Sequence, residues 1–486
     1  DSRHLDGPDV VHPLSSTANP CTMPRFIPLI TALVTAPVLF AQQKELAEAR
    51  GHLAQGDPFA AAAAARASLA VGETAEAWYF IGHGQLAADE ADSARSSLER
   101  CLVLDPDHAD AVFELGLALD ERGEHEQAIG QFRRYAALAP MDERGPVQEA
   151  FVRLSGLNDA AGAERILDSL MTRFPSSAAV LYYQAIAEHQ QGREAEAIAW
   201  LERGAQAHPD DADFPFQHGR WLADADRFTE AVPHLATAKE LDPSGRRMRW
   251  WAWARMMAAT DTAHWTRIDG GVRLTVPWIQ DMKAMDAMLG PGGSHDPAEL
   301  QRRFLAGEPM GVDEVFLFYY AQSLPDSYAP YADPAERELD ALLEAGKFKE
   351  AITWADGHLR EHPACLETWR SKAAACARAE DPGYAQATIN YDLLLNAVLA
   401  SGGGEAMVDA IWVMNIHDEY ILIGYEGLRR GSQALLHEGG YAFDLLECTD
   451  GEDKPVKRYF NISKPFGSLS RMFGNSTGGG KKKKKK

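Results

Sequence analysis

His417, Asp418 and Glu419 stand side by side, Tyr420 follows them, and a glycine loop, Gly402–Gly404, lies shortly upstream. An imidazole and two carboxylates are the groups that hold a divalent cation or move protons. Consecutive residues project in different directions, whereas a metal needs three or four side chains that converge. No H-E-x-x-H, G-x-S-x-G or G-x-x-x-x-G-K-[ST] accompanies them, and the glycine loop lacks the flanking strand and helix of a nucleotide site. The reading is therefore structural: the cluster caps a helix and the glycines make a turn. It implies no catalytic residue, no metal and no cofactor. A hydrolase or metal-dependent enzyme centred on His417, Asp418 and Glu419 is the alternative.

Recognition chemistry is spread more widely. Tyr79, Phe113, Tyr182 and Phe216 recur at equivalent helical places, with His83, His189 and Arg220 near them and Glu76, Asp110, Asp120, Asp213 and Asp224 one turn away or adjacent. Aromatic bodies give a large contact area at low entropic cost, and an acidic rim favours a cationic segment. The expected partner-binding groove is thus Tyr79, His83, Phe113, Asp120, Tyr182, His189, Phe216 and Arg220. Its expected occupant is an extended or helical peptide with basic residues.

What must position these residues is a repeat. Pro106, Pro140, Pro175, Pro209 and Pro243 recur at spacings of 34, 35, 34 and 34 residues, the period of a helix-pair solenoid. Antiparallel helices approach closely only where small side chains sit at their crossing. Gly82, Gly116, Ala185 and Gly219 supply one crossing, and Ala94, Ala128, Ala163, Ala197 and Ala231 the other. Leu98, Phe132, Leu167, Leu201 and Leu235 fill the space behind them, and Asp89, Gly123, Gly192 and Asp226 occupy the turns. A more degenerate unit with Gly56 and Ala61 brings the count to six across 42–243. With W-Y-F-I-G at 78–82, V-F-E-L-G at 112–116 and the endings V-L-D-P and A-L-A-P, the array resembles the tetratricopeptide family. That resemblance implies an α-solenoid that binds protein or peptide and carries no chemistry. The unit at 144–175 has Phe151 where a small residue is usual and one extra residue, so a local distortion is expected there.

Past Pro243, R-R-M-R-W-W-A-W-A-R-M-M at 246–257 is a basic, tryptophan-rich helix. Such a helix can bind a membrane or an anionic ligand. As the last element of an array it is read as a cap, with Trp250, Trp251 and Trp253 docking the next domain. From about 275 the chain resembles domain-of-unknown-function family 4919, on L-Q-R-R-F-L-A-G-E at 300–308, V-F-L-F-Y-Y at 315–320, E-A-G-K-F-K-E-A-I at 344–352, L-L-N-A-V-L-A-S-G-G-G at 394–404, H-D-E-Y at 417–420 and N-I-S-K-P-F-G-S-L-S-R-M-F at 461–473. The resemblance implies an architecture and no activity. Residues 335–362 and 364–399 read as helical hairpins, and 419–424, 432–437, 441–447 and 456–462 as a small antiparallel sheet with turns at Gly439-Gly440 and 450–455. Leu469, Met472 and Phe473 are spaced for a short terminal helix. The fold class is mainly α: a solenoid followed by an α+β domain.

The 486 residues carry a net charge of −23, and six terminal lysines mask a still more acidic body. Such a body repels nucleic acid and anionic lipid, so neither is an expected partner. Residues 23–41 read as a signal peptide: Arg25 precedes an apolar run broken by Pro28 and Pro37 and ending at Ala41. Export to a periplasm or the medium, within a bacterial cell envelope, is the expectation, with no stable membrane span after processing. Residues 1–22 read as an upstream extension and 475–486 as a flexible basic tail. The expected divisions are 42–260 for the solenoid and its cap, 261–299 for a connection, and 300–474 for the second domain. Cys101, Cys365, Cys376 and Cys448 show no C-x-x-C or disulfide-framework spacing, and Cys101 is expected to pack. An interaction scaffold is the leading function, and a structural component of a cell-envelope assembly is the remaining alternative.

Overall fold

The computed structural model describes residues 42–268, 271–330 and 336–474. The expected extension, signal peptide and lysine tail lie outside them. The chain divides into two compact units, one ending at Glu194 and the other beginning at Ala195.

The first unit is a succession of antiparallel helices: α1 (42–54), α2 (Pro58–Leu69), α3 (Ala75–Leu86), α4 (Ala91–Leu104), α5 (Ala109–Glu121), α6 (His125–Leu138), α7 (Arg144–Ser155), α8 (Ala160–Met171) and α9 (Ala178–Gln190). From α2 onward each packs on the next, and α3 also touches α5 as α7 touches α9. The crossings work as the small residues require. A β-carbon on Gly82 would stand 2.7 Å from Leu98 Cγ, and one on Gly116 would stand 2.6 Å from Phe132 Cε1. Ala94, Ala128 and Ala163 are wholly buried beside Leu98, Phe132 and Leu167. Each tight turn within a pair contains a left-handed residue: Gly56 (φ 75°), Asp89 (57°), Gly123 (74°) and Asn158 (52°). Asp57, Thr74, Asp159 and Ser177 cap the helices that follow them by accepting backbone N–H groups at 2.8, 3.2, 2.9 and 3.3 Å. In the 144–175 unit the half-buried Phe151 packs on the core of the preceding pair, its ring 5.7 Å from Tyr183.

The second unit begins with α10 (Glu194–Ala207), α11 (Asp213–Asp224), α12 (Phe228–Leu241) and α13 (Gly245–Ala259). Gly219 meets Leu235 as Gly82 meets Leu98, a β-carbon there standing 2.6 Å from Leu235 Cγ. A hairpin of β1 (Trp265–Ile268) and β2 (Gly271–Leu274) follows, in a stretch whose composition gave no strand pattern. Then come α14 (Met282–Leu289), α15 (Pro297–Leu305), α16 (Val312–Ala321), α17 (Glu336–Glu344), α18 (Phe348–Glu361), α19 (Leu366–Ala379) and α20 (Tyr384–Leu399). The last four are the two expected hairpins.

The sheet differs from expectation in two respects. Its strands are β3 (Ile411–Trp412), β4 (Arg429–Glu438), β5 (Tyr441–Thr449) and β6 (Pro455–Asn461), in the order β3-β6-β5-β4. β4, β5 and β6 are antiparallel neighbours, while β3 runs parallel to β6 with Ile411 opposite Phe460, so the sheet is mixed. The segment 419–424, read as a strand, is instead part of α21 (Asp418–Tyr425). Ile421, Leu422 and Ile423 are all buried, and a three-residue apolar run does not distinguish the two periods. Gly439 and Gly440, at φ 59° and 87°, turn β4 into β5.

The chain ends in α22 (Ser463–Gly474); the side chains of Leu469, Met472 and Phe473 lie outside the described part. One apolar core runs through this unit, joining Phe216, Leu235 and Met256 of α11–α13 to Phe316, Leu394, Trp412 and Phe460. Trp250, Trp251 and Trp253 pack against it, as a capping helix requires.

Candidate functional site

On α3 and α5 the first unit builds a polar network around one carboxylate. Glu114, 7 % exposed, accepts from the Tyr79 hydroxyl at 3.1 Å and lies 2.7 Å from His83 Nδ1 through the same oxygen, Oε1. Its second oxygen is buried without a partner. The hydrogen bond to Glu114 raises the His83 pKa against the opposing effect of burial. Burial first, then the charges of Glu114 and Asp110, raise that of Tyr79. The Tyr79 ring lies 4.8 Å from His108 and 6.0 Å from His83. Among the described residues no lysine or arginine stands over it.

Phe113 has a different environment. Arg144, at the start of α7, lies 5.2 Å from the centroids of both Phe113 and Tyr135, and reaches Asp142 at 2.9 Å and Asp110 at 3.4 Å. The chain thus covers this ring with its own cation. The arrangement repeats in the second unit at identical spacing: Arg247 stands 5.5 Å from the Phe216 ring and 2.5 Å from Asp213, with Arg246 at 5.0 Å from the ring. In the row Glu76, Asp110, Arg144, the place that Arg144 takes beside Phe113 is held beside Tyr79 by Asp110. Among the described residues no cation lies over the Tyr79 ring, and Arg144 acts on it only through its charge on the hydroxyl.

The other expected groove residues fall in both units. Asp120 is bound to His125 Nδ1 at 2.7 Å. Tyr182 meets Tyr183 edge-on at 5.7 Å, and His189 is exposed in the last turn of α9. Phe216 is 4 % exposed and belongs to the second unit's core, so its ring is not open to a partner. Arg220 stacks on Trp250 at 5.2 Å, in the same unit. Glu114 was missed because it sits on a packed face of α5. The signal was present: V-F-E-L-G carries a glutamate where W-Y-F-I-G carries Phe80.

The His417 cluster disperses as adjacent residues must. His417 Nε2 lies 3.8 Å from Glu367 on α19, Asp418 accepts from the Tyr319 hydroxyl of α16 at 2.5 Å, and Glu419 is turned into the interior. Among the described residues no N–H or hydroxyl donates to either Glu419 oxygen. Burial pushes its carboxyl up to about 9; the charge of Asp444, a proton-sharing contact with that carboxyl and the charge of Asp418 add to the rise against Arg430. Among the described residues no group of three His, Cys, Asp or Glu side chains gathers as a metal site. Gly402–Gly404 packs on backbone: a β-carbon on Gly402 would stand 2.4 Å from Ala410 O, and Gly404 O accepts from Tyr459 N at 2.8 Å.

Stacked helix pairs with small residues at their crossings, followed by a helical and mixed-sheet domain, define a helical-repeat protein. The model of the tetratricopeptide repeat matches residues 81–143 and 151–212, and that of a domain of unknown function, DUF4919, matches 297–471. The chain therefore carries tetratricopeptide repeats and a C-terminal DUF4919 domain. Solved structures similar to it include a tetratricopeptide repeat protein from Parabacteroides merdae (13 % identity, 45 % of this chain and 90 % of that one, TM-score 0.40) and pilF of Pseudomonas aeruginosa (17 %, 43 % and 96 %, 0.36). MamA from Desulfovibrio magneticus is a third (17 %, 35 % and 97 %, 0.31). No curated protein matches the chain. Among the described residues no helix is long and apolar enough to cross a membrane.

Proposed function

We propose that this is an exported, non-enzymatic interaction scaffold whose first unit binds a partner segment carrying basic residues, and whose second unit adds a further docking surface. Tetratricopeptide repeats support a protein or peptide as the partner. The single observation that favours a basic one is the contrast between Phe113, covered by Arg144, and Tyr79, which has Glu114 and Asp110 about it and no cation over its ring. A lysine or arginine of the partner would take over Tyr79 the place that Arg144 takes over Phe113, sharing Asp110 with Arg144 as its counter-ion. His83, Asp120, Tyr182 and His189 extend the contact along the first helices. Export rests on residues 23–41 alone.

Affinity capture with the chain from Gln42 onward, compared with Tyr79→Ala and Asp110→Asn, tests this reading. Partners should be lost by both variants and weakened by salt, because exposed ion pairs are screened. Partners held equally by all three proteins would sink the Tyr79 site. Fractionation of cells expressing the chain with and without residues 23–41 tests export, which requires the shorter form alone to stay in the cytoplasm.

A further inference from the structure

The basic tryptophan helix α13 has a use beyond capping. A cavity of about 420 Å³ opens within the second unit, between α12 and α13 on one side and the α15–α16 connection and α20 on the other. Apolar walls come from Phe304, Met310, Ile389 and Leu393. On one side stands the Trp251 indole, with Lys239 Nζ 4.1 Å and Arg255 Cζ 5.1 Å from its centroid.

Neither cation has a carboxylate partner among the described residues; Arg255 donates only to the Gly307 carbonyl. Other arginines of the same helix are neutralised, Arg247 by Asp213 and Asp242 and Arg249 by Asp392. The one acid at the cavity, Glu308, is engaged by Arg302 at 2.6 Å. Asn390, 1 % exposed, lines the cavity and accepts from Gln386 Nε2 at 2.7 Å. Burial lowers the Arg255 pKa, so the guanidinium is partly stripped of water without a compensating charge. Two uncompensated cations beside a desolvated amide, in a chain of net charge −23, form a half-built ion pair.

We propose that this cavity binds a carboxylate carried on an apolar body, the carboxylate between Lys239, Arg255 and the Asn390 amide and the body along Trp251, Phe304 and Leu393. A cavity of this size suits a small ligand or one terminal residue of a chain. The same chemistry is offered by a free organic acid and by the C-terminal residue of a peptide.

Calorimetric titration of the full chain with 3-phenylpropionate and with 3-phenylpropionamide tests the chemistry. A second arm, acetyl-Ala-Leu-Phe with a free carboxylate against the same peptide amidated, tests the source. The free carboxylate is expected to bind at least about tenfold more tightly than the amide in one or both arms, the size of a charge-assisted contact. Lys239→Gln and Arg255→Gln should each weaken that binding by a similar factor, while Arg360→Gln, on α18 outside the cavity, leaves it unchanged. Lys239 lies at the cavity's edge, so its variant reads out the site even where Arg255→Gln disturbs packing. Binding confined to one arm assigns the source. Equal affinity for acid and amide, no heat from either arm at millimolar concentration, or binding indifferent to both substitutions would overturn the proposal.

Discussion

Glu114 in the first unit and Glu419 in the second are both buried glutamates with histidine and tyrosine close by, yet they meet opposite surroundings. Glu114 faces donors: a tyrosine hydroxyl at 3.1 Å and an imidazole at 2.7 Å. Glu419 faces other acids, Asp418 and Asp444, and the latter shares a proton with it instead of supplying a donor of its own. A carboxylate held by donors on one oxygen, with the other left without a partner, can lend its charge to a ligand. One enclosed among carboxylates instead holds its proton and serves packing. The second cluster reads as structural from sequence because adjacent side chains diverge, and its residues meet separate partners on α19 and α16.

The largest effect that would break this contrast lies at Glu419. Its folded pKa of about 9 is above the ordinary carboxylate value, so its contribution to stability is complete below about pH 4.3 and is lost as pH rises toward 9. Asp392, pushed up to about 7 by burial, and Asp444, also raised by burial, act in the same direction. Glu419→Gln should flatten the decline by up to about 1.4 kcal/mol per pH unit inside that window. Urea midpoints at pH 5.5 and 8.5 measure it: the variant gains on the wild type at the higher pH. Parallel midpoints at both pH values would mean that Glu419 is ionised in the fold and that the contrast with Glu114 fails.

Replacing the donor-held acid should act oppositely. Glu114→Ala strands the Tyr79 hydroxyl and removes the anion that favours protonated His83, costing about 1–3 kcal/mol. Here substitution destabilises near neutrality, and a midpoint unchanged from the wild type would show that the network is not formed in solution.

Much of this was legible in the chain, for physical reasons. The 34-residue period is written in residues whose size decides whether two helices can meet, and Gly82 against Leu98 is legible because no side chain would fit. The capping tryptophans and the hairpin glycines, Gly439 and Gly440, were readable on similar grounds. The helix at Asp418–Tyr425 was not, because a short, fully buried apolar segment carries no period. The parallel strand Ile411–Trp412 pairs with residues some fifty positions away, and its two residues give no local pattern. At the site, periodicity placed Tyr79 and Phe113 equivalently but was silent on the residue one repeat further along. Whether that residue is Asp110 or Arg144 decides which ring is left for a partner.

The smallest effect sharpens the comparison from the histidine side. His83 has a raised pKa through its hydrogen bond to Glu114, so the stability it contributes is complete below about pH 6.5 and fades as pH rises through the folded value. His83 is half-buried, so solvent screening reduces the worth of the pair to about 1 kcal/mol or less. NMR titration of the imidazole should give a pKa above that of a free histidine, returning toward it in Glu114→Gln. A basic peptide bound over Tyr79 would bring a positive charge beside the ring and lower the same pKa, which distinguishes occupation of this site from binding elsewhere on the repeats. An unmoved His83 titration in the presence of saturating peptide would place the peptide away from Tyr79 while leaving the Glu114 network intact.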